Sequence, residues 1–170
     1  MTNSESEQYP IKFDITDIID TKYYEKKRTK ATCHTYKVVP VNEYNSLIEE
    51  IKAIARECCK RNWDCYDAYP VTYVAVEDAC RFVLKLTDNI FKPTIGALPS
   101  GGIALEWKND KGSFTVTFNG DGFCQRLLFI YSNDSFPINS YQDNLTNDFI
   151  YETIDLLNNW IKETKEVRND

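Results

Sequence analysis

Glu106 stands between Leu105 and Trp107 in the stretch SGGIALEWKNDKGSFTVTFNGDGF, residues 100–123. A carboxylate held against an indole in a dry setting can act as a general acid or base. Asp64 in NWDCYDAYPV and Arg126 beyond the second turn are the polar residues that could join it. A small enzyme or ligand-binding domain would need all three to converge on a pocket between sheet and helices.

Other chemistry finds little support. The single histidine, His34, adjoins Cys33, and successive side chains of an extended segment point to opposite faces, which is poor geometry for a nucleophile and its base. Cys58, Cys59 and Cys65 lack a C-x-x-C spacing, and adjacent helical cysteines point about 100° apart. Cys58 falls on an apolar stripe and Cys80 beside Ala79, so these thiols read as small core residues. Asp14, Asp17 and Asp20 read as a solvated acidic edge rather than a magnesium site. NGDG lacks the remaining positions of a calcium loop, and Lys111-Gly112-Ser113 lacks the glycine and the Lys-hydroxyl adjacency of a phosphate loop. Neither a cofactor nor a metal is expected.

The elements that must position these residues follow from periodicity. Between Asn42 and about Lys60, apolar residues recur at Tyr44, Leu47, Ile48, Ile51, Ile54, Ala55 and Cys58, one face of a helix. Asn42 suits its cap, and Glu49, Glu50, Lys52, Arg56 and Glu57 are assigned to the wet side. A second helix is predicted over Thr72–Leu86, with Ala75, Val76, Ala79, Phe82, Val83 and Leu86 inward. Beyond Pro93 the period becomes two, which predicts strands near 94–97, 103–108, 113–118 and 123–131. A last helix over Asn147–Lys165 carries Phe149, Ile150, Ile154, Leu157, Trp160 and Ile161 as its stripe. The expected fold is α+β: two helices, a four-stranded antiparallel meander and a C-terminal helix, with the helices packed on one sheet face. Residues 1–40 are expected to form an N-terminal arm, partly flexible, that packs on a single domain of residues 41–170.

Parity refines the sheet. If NDKG closes the first hairpin, Ile103 faces Phe118, Leu105 faces Val116 and Trp107 faces Phe114, an all-apolar set. Glu106 then points away from the core, opposite Thr115. If NGDG closes the second hairpin as a whole, Phe123 pairs with Phe118, and Arg126 joins Glu106 and Thr115 in one row. LLFIY (127–131) is apolar on both faces, so part of the outer face is expected to be covered.

Composition bounds the partners. The 170 residues carry a net charge of −6 with acids spread along the chain, and 14% are aromatic. An acidic chain without a basic stripe is a poor general nucleic-acid binder. The exception is the tyrosine-flanked segment 22–37, where Lys26, Lys27, Arg28 and Lys30 could contact phosphates. No apolar run is long enough to span a bilayer, and MTNSESEQYP lacks the features of a secretory signal, so the expected location is the cytoplasm with reduced thiols.

NWDCYDAYPV supplies Trp63, Tyr66 and Tyr69 between the two helices, with Asp64 and Asp67 able to hold turns. Those rings either plug the end of the core or form an aromatic-acidic patch for a partner. The motif W-D-x-Y-x-A-x-P, a following A-x-x-F helix and then G-G-I-x-L-E-W resembles a widespread set of uncharacterised prokaryotic proteins. Those read roughly W-D-G-Y-G-A-x-x-P and then D-G-x-I-x-L-E-W. The resemblance covers residues 62–125 and rests on Trp63, Asp64, Tyr66, Ala68, Pro70, Ala79, Phe82, Gly102, Ile103, Leu105, Glu106 and Trp107. Cys65 and Asp67 stand where that pattern has glycines, and a positive φ there would suit neither. The resemblance implies an α+β fold and a prokaryotic or phage setting, and it carries no known activity.

The expectation is therefore a non-catalytic protein-binding module, such as an inhibitor, immunity or antitoxin-like factor. Its partner is another protein, contacted through Trp63, Asp64, Tyr66, Tyr69, Glu106 and Arg126, and homodimerisation is possible.

Overall fold

A computed structural model describes residues 42–87, 90–131 and 138–166. The expected arm, with Lys26, Lys27, Arg28 and Lys30, lies outside the described residues, as do Cys33 and His34. Three helices and five strands are described: α1 (Asn42–Glu57), α2 (Tyr73–Val83), β1 (Thr94–Ala97), β2 (Ile103–Asn109), β3 (Gly112–Phe118), β4 (Cys124–Ile130), β5 (Ile138–Gln142) and α3 (Asn147–Glu166). The strands form one antiparallel sheet in chain order, so the fold is α+β with a meander.

Each helix buries the centre of its expected stripe, while Ile54 and Cys58 of the first are only partly buried. In α1, Leu47, Ile48, Ile51 and Ala55 turn inward, and the helix packs on α2 and β1. Lys52 is the exception to the sequence reading, since it is only 4% exposed rather than on the wet side. Its stem is buried while its Nζ reaches the exposed Glu49 at 3.1 Å, the habit of a long side chain that buries methylenes and keeps its charge partnered. Thr72 caps α2, its Oγ1 accepting the Ala75 N–H at 3.3 Å, and this starts a helix in a β-favouring run, Tyr73 to Val76. Ala75, Val76, Ala79, Phe82 and Val83 are buried, as are Phe149, Ile150, Ile154, Leu157, Trp160 and Ile161 of α3.

These stripes meet a single face of the sheet. Ile103, Leu105, Trp107, Phe114, Val116 and Phe118 have no exposed surface. Phe82 of α2 contacts Trp107 and Phe118 with ring centroids 6.4 and 5.6 Å away, and Trp160 of α3 meets Phe114 at 6.3 Å. Such tilted and edge-on ring pairs add about 0.5–1.5 kcal/mol each beyond the burial of their area. Trp107 also donates its indole N–H to the Phe91 carbonyl at 2.7 Å, so its polar atom is satisfied inside the core.

The first hairpin has the expected register: Ile103 opposes Phe118, Leu105 opposes Val116, Glu106 opposes Thr115 and Trp107 opposes Phe114. Its turn is an Asx turn, with Asn109 Oδ1 accepting the N–H groups of Lys111 and Gly112.

The second hairpin corrects the expectation by one residue. Phe118 opposes Cys124 rather than Phe123, and Val116 rather than Thr115 opposes Arg126. The cause is the turn. Asn119 N–H donates to Phe123 O at 2.7 Å, Gly122 N–H donates to Asn119 O at 3.1 Å, and Gly122 has φ +93°. This is a three-residue loop with glycine in the left-handed position, not a four-residue one. An odd shift exchanges the faces of the whole strand. Cys124, Arg126 and Leu128 therefore face the helices, and Gln125, Leu127 and Phe129 face outward.

A fifth strand, β5, extends the expected meander of four. Ile138 opposes Leu128, Ser140 opposes Arg126 and Tyr141 opposes Gln125. The segment INSYQ has one aliphatic residue in five and no strong alternation. Pairing with β4, rather than its own pattern, makes it a strand.

Candidate functional site

Two surfaces gather the exposed large side chains. The first is the outward face of β4 and β5. Phe129 is 45% exposed and its ring lies 5.7 Å from that of Tyr131, which is 48% exposed. Leu127 is half-buried beside them. Tyr141, 65% exposed, shares this face through its pairing with Gln125. Polar side chains flank the rings: Gln125 Nε2 donates to Asn139 Oδ1 at 3.0 Å, and Asn139 Nδ2 donates to the Tyr141 hydroxyl at 3.1 Å. Exposed rings on the same face as a hydrogen-bonded Gln125–Asn139–Tyr141 row form a surface with anchors and fixed polar positions.

Glu106 lies on the same outward face, half-buried between Thr94 and Thr115, and the next residue in its row is Leu127. Arg126 lies on the opposite face, under α3. It donates to Thr153 Oγ1 at 3.1 Å and to Glu152 Oε2 at 3.2 Å, and its guanidinium sits 5.1 Å from the centre of the Phe149 ring. The expected row of Glu106, Thr115 and Arg126 does not exist, because the three-residue turn moved Arg126 to the other side of the sheet. The sheet itself separates the acid from the base.

The second surface is the connection between α1 and α2. Asp64 Oδ1 accepts the N–H groups of Tyr66 and Ala68 at 2.8 and 3.1 Å, and Asn62 Oδ1 accepts that of Asp67 at 2.8 Å. Trp63 donates its indole N–H to Tyr69 O at 2.9 Å. Trp63 and Asp64 thus hold the turn, whereas Tyr66 at 88% exposure stands out from it. Arg61 forks onto Asp67 at 2.9 and 3.1 Å and lies 5.1 Å from the Tyr69 ring centre. The guanidinium's hydrogen bond, and then its charge, hold the Asp67 carboxyl below its ordinary pKa. The loop is pinned to the sheet end: Tyr69 N–H donates to Pro99 O at 2.8 Å and Thr72 N–H to Gly101 O at 2.9 Å.

Asn62, Cys65 and Asp67 have φ of +62°, +65° and +68°. Cys65 and Asp67 are the two positions where the resembled pattern has glycine. A left-handed conformation costs an ordinary residue roughly 1–2 kcal/mol, part of which glycine gives back through its freer unfolded state. The Cys65 side chain is exposed. Cys65→Gly is therefore expected to stabilise the fold by about 0.5–1 kcal/mol, read as a higher denaturation midpoint in urea. An unchanged or lower midpoint would show that this backbone is unstrained.

The thiols divide by burial. Burial pushes Cys80 up to about 11 and Cys124 up to about 12, which leaves both protonated and unreactive near neutral pH. Cys59 and Cys65 are exposed, and Cys58 is intermediate with its pKa raised chiefly by burial. Asp78, 8% exposed, has its carboxyl pKa raised by burial, against the opposing pull of Arg81 at 3.1 Å. Among the described residues, no group of three or more His, Cys, Asp or Glu side chains could hold a metal ion. Nor is any described helix long and apolar enough to cross a membrane.

Sequence reasoning named Tyr66, Tyr69 and Glu106, which are partly or largely exposed, but missed Phe129, Tyr131 and Tyr141. The signal for Phe129 and Tyr131 was the doubly apolar LLFIY, whose outward half could be identified only once the register was known. Compared with protein-family models, curated proteins and solved structures, the chain matches none of them.

Proposed function

We propose that this protein is a non-catalytic protein-binding module, of the inhibitor, immunity or antitoxin type, that engages its partner through the outward face of β4 and β5. The observation that carries this reading is the exposed Phe129–Tyr131 ring pair on the same sheet face as exposed Tyr141, with Leu127 and a hydrogen-bonded polar row between them. Exposed rings on a rigid strand give large contact area at small entropic cost, the composition of interface anchors. The prokaryotic or phage setting rests on the resemblance of the Trp63–Pro70 and Gly102–Trp107 segments to the prokaryotic set.

An enzyme using Asp64, Glu106 and Arg126 fits the geometry less well. Glu106 and Arg126 occupy opposite faces of the sheet, and Asp64 is engaged by two backbone N–H groups.

The test is co-purification from host cells with wild-type protein and with Phe129→Lys, followed by measurement of affinity for whatever is captured. A specific protein retained by wild type and lost, at least tenfold weaker, with Phe129→Lys is the expected result. Capture that is indifferent to Phe129→Lys and to Tyr131→Ser overturns the assignment of this face.

A further inference from the structure

Three elements meet around the carboxylate of Asp78. The residue lies on the inner side of α2 and is 8% exposed, so most of its hydration is gone. Its ionic partner is Arg81 on the same helix, Nη1 to Oδ1 at 3.1 Å, and the Arg81 side chain is 43% exposed, which weakens the pairing by screening. Glu77, beside Asp78 on α2, adds a like charge. From the sheet, the Cys124 thiol of β4 faces Asp78, and Asp121 of the turn before β4 acts on the same thiol. The third element is the turn 143–146, which joins β5 to α3. Among the described residues, it pairs no charged side chain with Asp78 or Arg81. It offers the Leu145 carbonyl, to which Arg81 Nη2 donates at 3.4 Å.

That turn is strained in its closed form. Asn144 has φ +120°, a backbone conformation that suits glycine and not a residue with a side chain. Leu145 is 6% exposed, and Asn144 Oδ1 lies 3.6 Å from the position a Gly122 Cβ would take, so the turn packs on the β3–β4 turn as well as on α2. A strained connection beside a buried carboxylate is the piece that opens first when the closed form loses stability. We propose that Asp78 and Arg81 form a pH-responsive fastening of the entry to α3: ionised Asp78 favours opening of residues 143–146, and Arg81 opposes it by pairing with the carboxylate while holding the Leu145 carbonyl. Burial disfavours the charged carboxylate, and opening returns it to water. Burial is also the largest cause acting on the folded pKa, which it raises above the ordinary 3.8 while Arg81 pulls the other way. The closed turn therefore binds the proton more tightly than the open one. Its extra stability is present below 3.8 and is lost as pH rises through the raised value. The fastening lies on the helix side of the sheet, so it stands apart from the partner-binding reading of the outward face.

The test is amide hydrogen exchange of the full chain, read by mass spectrometry from about pH 3.5 to about pH 7, across the titration of a carboxyl group. The opening constant of residues 143–149 is corrected for intrinsic exchange at each pH. Asp78→Asn is the reference, since it keeps the size of the side chain and cannot ionise. Relative to that reference, opening of wild type is expected to rise with pH, by about tenfold per pH unit between the ordinary and the raised pKa. Arg81→Met is expected to open more than wild type, with an excess that grows as pH rises. The double variant Asp78→Asn with Arg81→Met should lose that growth. Far-ultraviolet circular dichroism checks the fold of each variant, and Arg81→Gln replaces Arg81→Met if the latter unfolds, with the same growing excess expected. A ratio of wild type to Asp78→Asn that does not change with pH overturns the proposal. So does an Arg81→Met excess that is equal at every pH, because that is the mark of lost packing alone.

Discussion

Gly101→Ala is expected to destabilise the fold by roughly 2–3 kcal/mol, counting a left-handed backbone penalty of about 1–2 and a weakened hydrogen bond of about 1. Gly101 has φ +85°, and a Cβ there would lie 2.7 Å from the Pro70 carbonyl oxygen, which is backbone and cannot rotate away. The Gly101 carbonyl accepts the N–H of Thr72, and Thr72 in turn caps α2. A methyl group would therefore push apart the turn between β1 and β2 and the start of α2, where the aromatic loop is pinned. The measurement is a urea midpoint that falls with its slope unchanged. Gly96→Ala is the control, because nothing lies within 4 Å of its Cβ position and it is not among the positive-φ residues. In a strand that change is expected to be neutral or to stabilise by about 0.5 kcal/mol. Equal losses from both substitutions would refute the close approach at Gly101.

Lysine at two adjacent positions of β4 should give opposite outcomes. Leu128 is 5% exposed, opposite Phe114 and Ile138 on the helix side, so Leu128→Lys loses a core side chain and drives an amine into an apolar layer. The expected cost is about 3–5 kcal/mol, enough to consume much of the stability of a domain this size. Phe129, next in sequence, points outward at 45% exposure, and Phe129→Lys is expected to cost no more than about 1 kcal/mol. Thermal or urea unfolding of the pair checks the parity of β4 directly. If Phe129→Lys were the damaging change, the second hairpin would have the other register and the outward aromatic cluster would vanish. The tolerance of Phe129→Lys also makes it a usable probe of partner binding, since a folded variant that loses its partner isolates the surface.

Some of this was legible residue by residue. The stripes of α1, α2 and α3, the cap at Thr72 and the register of the first hairpin all follow from local pattern. Each rests on strong periodicity or on a turn whose length has one reading. NDKG joins two segments whose apolar residues match only when Asn109 opposes Gly112. NGDG was different, because its two glycines allow a loop of three or four residues, and LLFIY is apolar in either phase. Local sequence could not choose between them. The choice moved Arg126 from an outward ladder to a bed of Phe149, Thr153 and Glu152 beneath α3.

Lys52 shows the same limit in a helix. Its spacing places it at the rim of the apolar stripe of α1, and its type says water. It is buried near enough to Cys80 of α2 to oppose part of the rise in that thiol's pKa. Packing of α1 against α2 decides this, and no property of residues 49–56 alone announces it.

The sequence alone determined the element types, the inward faces of three helices and the outward placement of Glu106, because period and turn chemistry are local properties. Tertiary structure alone decided the phase of β4, the existence of β5 and the separation of Glu106 from Arg126. Those depend on which loop geometry Gly122 adopts and on what the neighbouring strand offers to pair with, and both are settled by the packed sheet.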